Sequence, residues 1–234
     1  MAVSADGGAK AGSIVAERGL QLVLLGPPGA GKGTQADLLI RKIVIPHVST
    51  GEILRSEAVA GSELGLAARE LMDQGKLVPD ELMLGIVKGR VEQPDCADGF
   101  LLDGFPRSRP QAEGLESILK VSSMPFLAAC LDVPGDEVVG RLSGRRTCRE
   151  CGAMYHVDFS PTKVPGVCDR CSGKLYQRDD DHKEVIQARL EIYRKETEPL
   201  LEFYEKRNQL VKVDGTGSAQ EVADRLYPAL CERL

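Results

Sequence analysis

The chain has 234 residues, 42% apolar and 28% charged, and thirty basic against thirty-five acidic side chains give a formal net charge of −5. A chain of this size buries a substantial core in one or two domains, and its charge excludes a molecule that binds polyanions over its whole surface. The longest clear apolar block is FLAACL (126–131), far short of the roughly 20 residues that a membrane-spanning helix needs.

Residues 1–19, MAVSADGGAKAGSIVAERG, are rich in Ala, Gly and Ser. They lack the apolar stretch of a secretion signal, and Asp6 and Glu17 argue against a transit peptide. A loosely ordered extension is expected. Beyond it, QLVLL (21–25), FLLD (100–103), FLAACLD (126–132) and QLVKVD (209–214) predict buried parallel strands, with HVS (47–49) as a short fifth. Amphipathic helical stretches separate them, the alternation of a doubly wound α/β sheet.

Two segments interrupt that alternation. Residues 50–78 carry two helical patterns, GEILRSEAVAG and SELGLAARELMDQG, with no strand between them. Residues 143–178 carry turn formers and four cysteines. A long helix then runs from about Lys183 to Lys206, kinked at Pro199, with Val185, Ile186, Leu190, Tyr193, Leu200, Leu201 and Tyr204 as its apolar stripe.

The first strand leads straight into GPPGAGKGT (26–34) and a helical QADLLIRKI. This is a phosphate-binding loop with Gly33 inserted between Lys32 and Thr34. Gly29, Gly31 and Gly33 let the backbone curl so that successive N–H groups, including that of Ala30, point inward at phosphate oxygens. The helix N-terminus adds its dipole, and Lys32 adds a formal charge.

In CRECGAMYHVDFSPTKVPGVCDRC (148–171) two C-x-x-C knuckles, Cys148/Cys151 and Cys168/Cys171, stand sixteen residues apart. That spacing predicts a closed four-thiolate Zn²⁺ site, structural because no position is left open for chemistry. His156 beside it is expected to make a local hydrogen bond and not to act as a fifth ligand. Metal-binding thiols must stay reduced, which favours the cytoplasm. Cys96, Cys130 and Cys231 read as incidental thiols. From Arg141 to Arg178 there are eight basic and three acidic residues, a basic island suited to nucleic acid or to a nucleoside triphosphate.

GPPGAGKGTQA, STGEILR (49–55), GKLVPDEL (75–82), GFLLDGFPRS (99–108), GRR (144–146), YQRDDD (176–181) and VDGT (213–216) resemble, in order, blocks of the adenylate kinases within the nucleoside monophosphate kinase family. The resemblance spans about 20–232. It implies a P-loop core at 20–49, 79–141 and 180–234, a helical AMP-binding insertion at 50–78, and a small zinc-binding lid at 142–179. It implies reversible phosphoryl transfer from MgATP to AMP, giving two ADP, under a closing lid. Glu52 stands where Asp is usual, and KIVIPH lacks a common glycine, departures that leave the phosphate chemistry untouched.

The resemblance also implies roles for individual residues. Lys32, Arg107, Arg141, Arg145, Arg178 and Arg189 would stabilise the transferring phosphoryl group. Gly29 through Thr34, Arg141, Arg145, Met154, Tyr155 and Gly217 would bind ATP. The AMP site would comprise Thr50, Arg55, Lys76, Leu77, Val78, Gly104, Phe105, Pro106, Arg107, Gln111, Arg178 and Arg189. Asp103, Asp180 and Asp181 would orient waters around Mg²⁺, although for DDD (179–181) helix capping is an equally ordinary role. A monomer with no nucleic-acid or membrane partner is expected. Two other readings stand beside this one: a kinase of UMP or CMP, and a zinc-ribbon nucleic-acid binder. The second has against it the acidic balance and the absence of tryptophan as a stacking platform.

Overall fold

The computed structural model describes residues 19–120 and 123–234, so the N-terminal extension before Gly19 lies outside the described residues. Eight strands run along these residues: β1 (Leu20–Leu25), β2 (His47–Ser49), β3 (Gly99–Asp103), β4 (Phe126–Asp132), β5 (Arg145–Cys148), β6 (Met154–His156), β7 (Leu175–Tyr176) and β8 (Leu210–Asp214). Five form the main sheet, ordered β2-β3-β1-β4-β8, and every pairing in it is parallel. The unbroken apolar runs become strands buried on both faces. Along β1, Leu20, Leu22 and Leu24 enter one core layer while Val23 and Leu25 enter the other.

The helices are α1 (Lys32–Leu39), α2 (Thr50–Ala60), α3 (Glu63–Asp73), α4 (Asp80–Val91), α5 (Arg109–Leu119), α6 (Gly135–Ser143), α7 (Lys183–Ile192), α8 (Pro199–Glu205) and α9 (Ala219–Cys231). One layer is closed by α1, α6, α7 and α9 through Leu39, Leu142, Ile186 and Leu226. The other is closed by α4, α5 and α8 through Val87, Leu115 and Tyr204, with Leu54 of α2 and Ala68 of α3 at its margin. This is the doubly wound arrangement expected. Serines set several helix starts. Ser62 accepts the Gly65 N–H at 3.0 Å, and Ser218 forms a reciprocal capping box with Glu221 at the start of α9, satisfying donors that the first turn leaves orphaned.

The two interruptions read from sequence take the form of a helix pair, α2 and α3, and a small antiparallel sheet ordered β6-β5-β7. The small sheet's buried cluster holds only Cys148, Ala153 and Cys168, too little apolar surface to hold a fold by itself.

The long helix departs from expectation at its middle. Residues Tyr193–Thr197 form a wide π turn, in which Glu198 N donates to Tyr193 O at 2.8 Å. Pro199, which lacks an N–H for the ordinary ladder, then opens α8 as a first-turn proline. The extra residue is absorbed before the proline, and Phe203 joins the buried stripe.

Leu22 is fully buried in the central strand, so Leu22→Ala is expected to cost about 2–5 kcal/mol in urea unfolding. Leu66→Ala, at a side chain 49% exposed, should stay within about 0.5 kcal/mol of the parent.

Candidate active site

In a doubly wound sheet, ligands bind beyond the strand C-termini where the strand order reverses. Here that point is the end of β1, flanked by β3 and β4. A cavity of about 660 Å³ opens there. The loop after β1 turns with Gly29 at φ 85° and Gly31 at φ 91°. A Cβ on Gly29 would lie 2.8 Å from Leu142 Cγ, so the loop is pressed against α6 and admits no side chain at that position. At Gly31 the same atom would meet open space, and the loop's concave side faces the cavity.

Lys32 is folded back into this loop, donating to Gly26 O at 2.8 Å and Pro27 O at 2.9 Å. Burial lowers its pKa to about 8, against the pull of Asp103 and with the push of Arg107 and Arg189. Asp103, at the end of β3, stays below the usual carboxylate range although burial alone would raise it, because His47, Lys32 and Arg107 face it. His47 is opposed by burial but raised by Asp103, Glu52 and Asp37. Its Nε2 lies 3.8 Å from Asp103 Oδ2, beyond hydrogen-bond reach, and the two interact through charge.

Around the same cavity stand Arg55, Arg107, Arg141, Arg145, Arg178 and Arg189, drawn from six separate places in the chain. Five of them are fixed by different partners. Arg107 donates from Nε to Gly104 O at 2.7 Å. Arg141 donates to Glu137 at 2.6 Å and to Gly215 O at 2.9 Å, tying α6 to the turn after β8. Arg178 donates to Thr147 Oγ1 at 3.0 Å, and burial with Arg145 and Arg55 nearby lowers its pKa to about 10. Asp181 accepts from Arg145 at 2.5 and 2.8 Å, while Asp180 pairs with Arg189 at 2.9 Å. Neither aspartate caps α7, whose N-cap His182 makes no side-chain cap bond. The ordinary role weighed for these acids is thus replaced by arginine pairing.

Of the expected AMP-site residues, Arg55, Lys76, Leu77, Gly104, Pro106, Arg107, Arg178 and Arg189 line the cavity. Thr50, Val78, Phe105 and Gln111 are buried and are not among the lining residues. Thr50 Oγ1 donates to Asp103 O at 3.3 Å. Gln111 accepts the Arg107 N–H at 2.7 Å and donates to Asp80 at 2.8 Å, which shapes the turn carrying Arg107.

On the other side the phosphate loop, Arg141, Arg145, Met154, Tyr155 and Gly217 line the cavity. Met154 reaches the loop itself, since a Cβ on Gly33 would lie 3.0 Å from its Cε. The Tyr155 hydroxyl points elsewhere, 3.3 Å from Cys168 Sγ. His156 accepts the Asp158 and Phe159 N–H groups on Nδ1 at 3.0 and 3.1 Å, which leaves the proton on Nε2 for Gly140 O at 3.3 Å. It makes the local bonds expected of it.

The four knuckle cysteines converge. Their Sγ atoms all lie within 4.8 Å of one another, with Cys148–Cys171 at 3.4 Å and Cys151–Cys168 at 3.6 Å. A tetrahedral tetrathiolate with metal–sulfur bonds of about 2.3 Å has edges near about 3.8 Å, so this set fits a metal ion. Both knuckles turn alike: Gly152 at φ 70° and Ser172 at φ 61° close them, their N–H groups donating to Cys148 O and Cys168 O. Of the other thiols, Cys96 and Cys130 are buried and Cys231 is partly so.

The sequence model of the adenylate kinase family matches residues 24–209. The chain belongs to that family. It is 54% identical over 212 residues to an adenylate kinase of Thermodesulfovibrio yellowstonii, covering 90% of this chain and 99% of that protein. An adenylate kinase of Syntrophobacter fumaroxidans is 50% identical over 212 residues, 90% of this chain and 100% of its own. One from Methanocella arvoryzae is 51% identical over the same length, again 90% of this chain and 98% of its own. The chain is accordingly a phosphotransferase, and no helix among its described residues is long and apolar enough to cross a membrane.

Several residues that shape this kinase site escaped the sequence reading. Asp80 holds both Ser108 and Gln111 at 2.8 Å. Thr197, in the π turn, donates to Arg107 O at 2.7 Å. His47 faces Asp103. Only Glu137 left a sequence signal, its i,i+4 spacing to Arg141; the rest are brought in by tertiary packing.

Lys32 gives a pH dependence. Between about 8 and 10.5 the unfolded chain keeps a proton that folded Lys32 has lost, so this group's contribution to stability rises with pH over that window. Tripolyphosphate filling the loop reverses the balance. Its binding is expected to take up part of a proton near pH 8 and to weaken as pH rises further. Calorimetry in buffers of different ionisation enthalpy reads the uptake, and its absence would remove Lys32 from the anion site.

Proposed function

We propose that this chain catalyses reversible transfer of the terminal phosphoryl group of MgATP to AMP, giving two ADP. The observation that carries the reading is a single cavity shared by a phosphate loop with its lysine and by six arginines from all around it. Phosphoryl transfer needs little covalent help from protein. It needs in-line positioning and a fixed positive field around the equatorial oxygens.

In this reading the backbone from Gly29 to Thr34 cradles the ATP phosphates. Lys32 leaves its carbonyl partners for the β and γ oxygens, and a dianion restores the charge that burial discourages. Arg141 and Arg145 hold the donor, with Met154, the backbone of Tyr155 and Gly217 beside its nucleoside. Arg55 and Arg107 hold the AMP phosphate, and Arg178 and Arg189 bridge the two nucleotides. Lys76, Leu77, Gly104, Pro106 and Arg107 form the acceptor's wall, with Val78, Phe105, Thr50 and Gln111 supporting it from behind. Mg²⁺ arriving with ATP would lower the repulsion between phosphates; in this reading Asp103 and Asp180, which line the cavity, would orient its waters, while the buried Asp181 would hold Arg145.

Residues 50–78 form the AMP-binding segment and 142–179 a lid, both moving against the core at 20–49, 79–141 and 180–234. Closure would exclude water, which would otherwise compete as acceptor. Zn²⁺ on Cys148, Cys151, Cys168 and Cys171 supplies the stability that the lid's small core lacks. The thiolates suit a reducing compartment, and we assign the enzyme to the cytoplasm as a monomer.

ADP formation from MgATP with AMP, UMP, CMP or GMP offered separately tests the acceptor. ADP from AMP alone is expected, and a preference for UMP or CMP would move the acceptor assignment. Lys32→Met is expected to cut turnover about 100- to 1,000-fold without lowering the melting temperature, since the variant no longer buries a charge there. Cys148→Ser should do the reverse. Calorimetry would show a lower melting temperature and lost metal, while turnover persists at temperatures where the variant stays folded. A dead but equally stable Cys148→Ser protein would refute a structural metal.

A further inference from the structure

Tyr155 supports an inference that rests on the metal reading above but concerns a residue outside the four ligands. Strand alternation sends neighbouring side chains to opposite faces. On β6 this divides the work: Met154 reaches the phosphate loop at Gly33, while the Tyr155 hydroxyl lies 3.3 Å from Cys168 Sγ. The direction of that bond follows from its neighbours. The Tyr155 oxygen already accepts the Asp169 N–H at 3.0 Å. A metal-bound thiolate has lone pairs and no proton to give, so the phenolic proton points at sulfur. Cys168 also receives the Arg170 N–H at 3.4 Å, and so carries two donors.

We propose that Tyr155 is a positioning residue of the metal centre, donating a hydrogen bond to the Cys168 thiolate and thereby fixing β6 between the metal and the phosphate loop. The hydroxyl draws charge from one sulfur, orients its lone pairs and holds the Asp169 turn of the second knuckle. Partners of this kind outside the ligand set are worth about 10- to 100-fold in metal affinity. The same bond keeps Tyr155 turned from the nucleotide, so that β6 offers the cavity its backbone and Met154.

Cobalt(II) loaded into the full chain in place of zinc gives the test. The parent protein should bind one ion with tetrathiolate spectra; failure at that stage would overturn the zinc reading and this proposal with it, whereas a missing band shift in the Tyr155 variant overturns the proposal alone. With that established, Tyr155→Phe keeps the ring and removes the donor. Its sulfur-to-cobalt charge-transfer band is expected at longer wavelength, because the thiolate lone pair is no longer stabilised, and metal release to a chelator should quicken about tenfold or more. An unshifted band overturns the proposal even if release quickens, since general loosening would do that alone. Should the variant fail to fold, NMR-active cadmium in the parent reads the same bond, as coupling from the metal through Cys168 Sγ to the Tyr155 hydroxyl proton; its absence overturns the proposal.

Discussion

The site depends on holding a cluster of cations out of water. Lys32, Arg107, Arg178 and Arg189 all have pKa values pushed down, with burial the leading cause in each case. Like charges at such distances repel, and desolvation adds to the cost. Three aspartates, Asp103, Asp180 and Asp181, and a set of backbone carbonyls hold the cluster together. The site therefore carries a local excess of positive charge that only polyanionic ligands complete. Binding energy from two nucleotides and catalytic stabilisation of the transferring group come from the same source.

That constraint explains why the fold looks as it does around the cavity. Parallel strands bring the ends of β1 and β3 side by side, in the register that pairs Leu24 with Asp103. The phosphate loop thus faces the aspartate that limits its lysine. The wide turn before Pro199 lets the long helix supply Arg189 on one side and Thr197 on the other, where Thr197 holds the carbonyl of Arg107. A regular helix through these residues would present them at different angles. π turns are common at functional sites for this reason.

Much of this was legible in the chain. The apolar runs gave four strand positions to within a residue: β1, β3 and β4, buried on both faces, leave no alternation to misread, and the edge strand β8 alternates plainly. Gly29, Gly31 and Lys32 announced the phosphate loop, and the knuckle spacing announced the thiolate cluster. What stayed hidden was long-range or directional. Asp80 and Gln111 are thirty-one positions apart and meet only after α4 packs on α5. Tyr155 could be placed beside the cavity from its motif, yet no motif says which way a side chain on a three-residue strand turns. The acids at 180–181 looked ready to cap a helix, and two arginines claimed them first.

The small sheet has a further consequence through its ends. Thr147 pairs with Tyr176 across β5 and β7, so the chain leaves for the cysteine-bearing loops and comes back at nearly the same point. A segment whose departure and return adjoin can be lengthened, trimmed or rebuilt without moving the body it stands on. It behaves as an exchangeable module on a permanent base. Different internal fasteners could be tried there over evolutionary time, while the strand ends beneath kept their places.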